Sequence, residues 1–148
     1  MTTEPTTYGK EEAAMPPSNQ SGSAGKAMLW TGRVMSALPA LFLLFDAIMK
    51  FVKPQFVVDA TVKLGFPEST ILGLGMVLLV CTVIYLIPST AVLGAILLTG
   101  YLGGAVATHV RHEDGLFEII FPVVFGALLW GGLYLRDERL RSIIPWRR

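Results

Sequence analysis

Three features of this 148-residue chain predict an all-α fold, a transmembrane four-helix bundle with a short interfacial helix between helices 1 and 2. Only 16% of the residues are charged, against about 25% in an ordinary soluble domain, and mean hydropathy is +0.59. Four apolar segments, at 27–49, 69–87, 90–110 and 117–135, approach the roughly 17–25 residues that a helix needs to cross a bilayer. Of the 12 basic and 11 acidic residues, only Arg33, Asp46 and Glu118 fall inside those segments. Backbone groups in lipid must be bonded within their own segment, which selects helices over open strands. A soluble four-helix bundle would need a polar face on every helix, and the segment from Ile71 to Ile87 has none.

Residues 1–26 are rich in Thr, Ser, Pro, Gly, Glu and Lys, bury too little to offset chain entropy, and read as a disordered tail. The apolar run that follows is too long for the h-region of a secretory signal, so the first span is expected to be retained. Within that span Arg33 lies about one turn from the start and can snorkel to phosphates. Pro39 should kink the helix, with Ser36 and the neighbouring helices satisfying the freed carbonyls. Between the first two spans, Phe56, Val57, Ala60 and Leu64 recur at helical spacing opposite Asp59 and Lys63, in a segment too short to span. Pro88 ends the second span because it cannot continue the hydrogen-bond ladder, and Ser89 can cap the third, giving a tight hairpin. Pro122 should kink the fourth. Domain organisation is therefore a tail at 1–26, a membrane domain at 27–137 and a basic tail at 138–148. Ile143, Ile144 and Trp146 stand among the arginines at the C-terminus, so that tail lies along the headgroups or is simply solvated.

A net charge of +1 and the lack of a basic run with interleaved aromatics exclude a nucleic-acid partner. The single cysteine, Cys81, excludes an internal disulfide, a CxxC redox pair and a cysteine-based zinc or iron–sulfur cage. It reads as a small buried hydrophobe. Lys10, Lys26, Arg33, Arg136, Arg139, Arg141, Arg147 and Arg148 flank the side of both termini, against Lys50, Lys53, Lys63 and Arg111 on the other. That bias places both termini in the cytoplasm.

Polar groups inside a span are costly and are functional suspects by default. Asp46 cannot snorkel far, and Lys50 at i+4 has ion-pair spacing. The alternation of spans brings Asp46, Lys50, Glu68, His109, Arg111, His112 and Glu118 to one end of the bundle. Tyr101, Ala105, Thr108 and His112 share roughly one helical face, with His109 at its edge. The candidate site residues are thus Asp46, His109, Thr108, Tyr101 and Glu118, and Asp46 is expected to pair with His109 across the mouth. Such a set can bind a quinone headgroup, relay protons or coordinate a metal. Metal binding is the weakest of these, since no HExxH or Glu-x-x-His element accompanies His109 and His112. Gly100 with Gly104, Gly103 with Ala107, and Ala127 with Gly131 have small-xxx-small spacing, so helix packing through Gly100 and Gly104 is expected. No phosphate loop, nucleophile elbow or triad marks a stand-alone enzyme.

Several runs resemble the DoxX-like family of small bacterial membrane proteins: Leu41 to Asp46 (LFLLFD) with Met49 and Lys50, Gly65 to Glu68 (GFPE), Phe121 with Pro122, and Trp130 to Asp137 (WGGLYLRD). The most specific piece is Leu98 to Arg111 (LTGYLGGAVATHVR), and the likeness runs from about Met28 to the C-terminus. The resemblance implies a four-helix protein of the bacterial inner membrane. It also implies a role as the membrane subunit of a quinone-linked oxidoreductase complex with a soluble partner. The alternatives are a structural scaffold that tethers partner proteins and a small proton-coupled transporter, the latter disfavoured by the lack of inverted repeats of broken helices.

Overall fold

The computed structural model describes residues 20–143, which form helices and no strand. The first helix, α1, spans Gln20–Val52 and so is already running before the expected boundary at Ala27. The expectations for residues 1–19 and 144–148, including Ile144 and Trp146, lie outside the described residues. A short α2 (Gln55–Lys63) follows, then a 3-10 turn (Glu68–Thr70), α3 (Ile71–Leu86), α4 (Ala91–Arg111), α5 (Leu116–Arg136) and a six-residue α6 (Glu138–Ile143). At 1.5 Å rise per residue, the 21 residues of α4 reach about 31 Å, the thickness of a hydrocarbon core. Helix α3 has 16 residues and falls short alone. The 3-10 turn before it, with its longer rise per residue, restores the span.

The break between α1 and α2 has a local cause. Pro54 disfavours helical backbone at the residue before it, and Lys53 adopts a left-handed conformation with φ 51° while its N–H closes on the Met49 carbonyl.

Helix α1 packs against α3 and α5, and α4 packs against the same two, so α1 and α4 stand on the diagonal of the bundle. The core between them is built of Leu43, Leu78, Leu98, Leu129 and Leu133 around Tyr85. Only about a quarter to a third of each long helix's most apolar stretch is buried, from 22% in α5 to 33% in α3. The outward faces carry Leu38, Leu41, Phe45, Met76, Ile96 and Val123, all exposed. An aqueous solvent would demand polar groups there, so the chain is a multi-pass membrane protein.

The start of α1, α6 and the hairpin between α3 and α4 share one end of the bundle, called proximal below; α2 and the turn between α4 and α5 lie at the distal end. The proximal seam depends on glycine. A Cβ on Gly32 would lie 2.9 Å from the Leu135 Cβ, one on Gly132 only 2.7 Å from the Ser36 nitrogen, and one on Gly94 2.3 Å from the Tyr85 backbone. Close backbone approach of this kind replaces the hydrophobic drive that lipid does not supply. The expectation that Gly100 and Gly104 make such contacts is corrected: a Cβ on Gly100, Gly103 or Gly104 would meet nothing within 4 Å. These glycines lie where α4 faces open space, and small-xxx-small spacing alone does not say which face of a helix meets a neighbour.

Tyr85 knits the seam. Its hydroxyl lies 2.9 Å from both the Ser36 Oγ and the Leu129 carbonyl. A carbonyl can only accept, so the single phenolic proton goes to Leu129 and the serine hydroxyl donates to Tyr85. Ser36 was expected to serve a carbonyl freed by Pro39 and instead joins three helices. Both Pro39 and Pro122 sit inside uninterrupted helices with their rings buried. The Arg136 guanidinium stacks 5.2 Å above the Tyr85 ring, a cation–π contact that closes the polar layer of this end.

Candidate functional site

At the distal end the helices enclose a cavity of about 620 Å³ between the diagonal helices α1 and α4. That volume lies within the range of small-molecule sites, roughly 300–1,000 Å³. Helix α1 contributes Phe42, Leu43, Asp46 and Lys50, and α4 contributes Gly100, Tyr101, Gly104, Ala105, Thr108 and His109. Phe121, Pro122 and Phe125 of α5 form a further wall. Gly100, Gly104 and Ala105 of α4 put little bulk into the space between α4 and α1 and so leave it open.

Aromatic rings stiffen that wall. Phe42 meets Phe121 and Phe125 edge-on, with centroids 5.5 and 4.9 Å apart, and Phe121 leans on Phe125 at 4.5 Å. Such pairs are worth about 0.5–1.5 kcal/mol beyond the area they bury. Helix α2 forms the roof: Phe56, Val57, Ala60 and Leu64, the apolar stripe recognised in the sequence, all line the cavity. Phe56 remains 65% exposed, so the roof leaves the cavity accessible.

Two helix ends organise the polar rim. After α2, Gly65 takes φ 84°, the Gly65 N–H bonds the Val62 carbonyl and the Phe66 N–H bonds the Thr61 carbonyl. After α4, Glu113 takes φ 56°, its N–H bonds the Val110 carbonyl at 3.2 Å, and the Asp114 N–H bonds the His109 carbonyl at 3.1 Å. Both are Schellman closures, and in the second the residue at the left-handed position is not glycine. Arg111 Nη2 donates to the Leu64 carbonyl at 3.3 Å and so joins the two ends. Lys53 and Glu68 form a looser ion pair at 3.9 Å.

The closure after α4 folds Asp114 back under its own helix. Its Oδ2 lies 2.7 Å from His109 Nδ1 and its Oδ1 3.1 Å from His112 Nδ1. The hydrogen bond from His109 is the main reason that the Asp114 carboxyl is held below the usual carboxylate range, with His112 and the charge of Lys63 adding to it. Asp46 is paired with Lys50 at 2.5 Å. The expected Asp46–His109 pair is therefore not made: each side chain takes a partner within five residues of itself, which costs less chain and side-chain entropy than a contact across a void. Both still line the same cavity.

Of the other candidates, Tyr101 and Thr108 line the cavity, and the Thr108 hydroxyl donates to the Gly104 carbonyl at 2.8 Å. Glu118 is not a cavity residue; it is exposed, with its carboxylate close to Gly115 at the start of α5. A negative charge in the first turn of a helix is favoured by the helix dipole. Glu68 and Arg111 belong to the loop contacts already described, and among the described residues no group of three or more His, Cys, Asp or Glu converges to hold a metal. Asp114 was missed because it reads as a loop acid. Its available signal was its place two residues after His112, where a helix closure returns the chain. The Phe121 and Phe125 wall was legible as aromatics at i and i+4.

No curated protein and no solved structure gives a significant match to the chain. A family model, that of the DoxX-like family, matches residues 34–132. That stretch contains every residue that lines the cavity, from Phe42 to Phe125. This multi-pass membrane protein, with its four packed spans and roofed distal cavity, belongs to the DoxX-like family.

Proposed function

We propose that this protein is a quinone-binding membrane subunit, which presents the headgroup of a membrane quinone to an electron-donating soluble oxidoreductase and supplies the protonatable groups beside it. The carrying observation is the distal cavity, whose walls are chiefly aromatic and aliphatic while a few polar groups, Asp46, Lys50, Tyr101, Thr108 and His109, sit among them. A quinone headgroup is a flat ring with two opposed oxygens, so it suits aromatic walls with sparse hydrogen-bonding groups. Electrons must come from a partner's redox carrier, because the side chains here include no redox pair and Cys81 is buried in α3. Each two-electron reduction takes two protons into the quinone oxygens, and the ionisable rim is where they would be handed over.

The eight-to-four distribution of basic residues supports a proximal end in the bacterial cytoplasm and a distal cavity in the outer leaflet of the inner membrane. A reporter fused after Arg148 should be active in the cytoplasm, and one inserted at Glu113 should report the outer side.

Binding is tested with the full-length protein in nanodiscs. Copurified lipid is assayed for quinone, and a short-chain benzoquinone is titrated against thermal stability. A saturable stabilisation that is lost in Gly104→Leu, whose Cβ would meet nothing within 4 Å and whose added bulk occupies the cavity that Gly104 lines, supports the site. Stabilisation that persists unchanged in that variant, or no stabilisation at all, rejects it.

A further inference from the structure

The geometry points to Asp114 as a positioning residue that holds His109 in one tautomer, with Nε2 an acceptor towards the cavity, so that the site prefers a hydroquinone to the corresponding quinone. This rests on the quinone reading above and deepens it by naming the oxidation state that is held.

The closure at Glu113 fixes Asp114 beside His109 through the backbone, not through a chance side-chain rotamer. An ionised carboxylate can only accept, so the 2.7 Å contact with Oδ2 requires the proton on His109 Nδ1. His112, sharing Oδ1 at 3.1 Å, keeps the carboxylate from turning away. A neutral imidazole carries one N–H, so a proton held on Nδ1 leaves a lone pair on Nε2. Nε2 has no hydrogen-bond partner among the described residues and is not enclosed by protein, and His109 lines the cavity.

The neighbouring groups lean the same way. Thr108 has committed its proton to the Gly104 carbonyl and offers only lone pairs. Asp46 is an acceptor whose counterion, Lys50, is bound to it. Arg111 is turned to the Leu64 carbonyl and does not line the cavity. Lys50 and the Tyr101 hydroxyl are the donors left for a ring oxygen. A hydroquinone presents O–H groups to such a rim, whereas a quinone presents carbonyl oxygens that find Nε2 without a proton. A bound ring that covers Nε2 and sets one acceptor against another forfeits a hydrogen bond, which corresponds to about a tenfold difference in affinity.

The experiment compares a short-chain benzoquinone with its hydroquinone, titrated under nitrogen at about pH 8.5, where an unperturbed imidazole is neutral. Full-length protein in nanodiscs is used, as wild type, Asp114→Asn and Asp114→Glu. Wild type should bind the hydroquinone about tenfold more tightly. Asp114→Asn can turn its amide NH₂ to Nδ1 and release the proton to Nε2, so the preference should fall to about one or invert while quinone binding survives. Asp114→Glu keeps a carboxylate and should retain part of the preference. Nitrogen-15 NMR of wild type reads the tautomer directly, should the variants fail to fold. Equal affinities in wild type, a preference unchanged in Asp114→Asn, or a proton found on Nε2 would overturn the positioning role and leave the quinone site standing. Binding of neither ligand would overturn both.

Discussion

The two ends of the bundle are made from the same four helices and solve opposite problems. At the proximal end Gly32, Gly94 and Gly132 let backbones meet so closely that a methyl group would collide. At the distal end Gly100 and Gly104 have equally small side faces and touch nothing. A glycine in a membrane helix thus permits approach without causing it. At the proximal end the Tyr85 hydroxyl, with Ser36 and the Leu129 carbonyl, supplies the directed attraction that draws helices together. The distal polar groups satisfy themselves locally, Asp46 with Lys50 and His109 with Asp114, and leave the space between α1 and α4 open.

The largest effect should come from crowding the proximal seam. Gly94→Leu would drive its side chain into the Tyr85 backbone, which cannot rotate aside as a flexible side chain can. We expect a loss of about 3 kcal/mol or more, or failure to fold, by thermal unfolding in detergent. Gly104→Leu, the same change on the same helix, should stay within about 0.5 kcal/mol of wild type. Equal losses in the two variants would break the comparison of ends.

Next in size is Tyr85→Phe, which removes only an oxygen and leaves the Leu129 carbonyl and the Ser36 hydroxyl without that partner. A loss of about 1–2 kcal/mol is expected. Combined with Ser36→Ala the loss should be less than additive, because both changes remove the same bond. Strict additivity would mean that the hydroxyls do not act together.

The smallest effect belongs to the distal turn. Because the Asp114 carboxyl is held below its ordinary range in the folded protein, its contribution is whole above about pH 4 and disappears as pH falls through the lowered value. Asp114→Asn should therefore differ little from wild type in very acid solution and be the less stable of the two at neutral pH. An acid-unfolding series on both proteins reads this, and a constant gap across the whole range would show that the carboxylate charge is not responsible.

Much of this architecture was legible without coordinates, for one physical reason. In a bilayer every backbone group must be bonded within its own segment, so apolar length and charge exclusion suffice to place α1, α3, α4 and α5, and Pro88 to mark the break between α3 and α4. The stripe of Phe56, Val57, Ala60 and Leu64 likewise announced a short helix with one apolar face, and the ends of alternating spans brought Asp46 and His109 to the same end of the bundle. What covers that stripe, which glycines touch a neighbour and which acid holds the histidine were settled by how the helices rotate about their axes and by the closing turn after α4. Rotation in lipid is steered by a few directed contacts such as that of Tyr85, because the solvent is as apolar as the side chains and gives no preference of its own. Partner choice for Asp46 and His109 followed loop entropy, which favours Lys50 and Asp114 a few residues away over each other across a cavity.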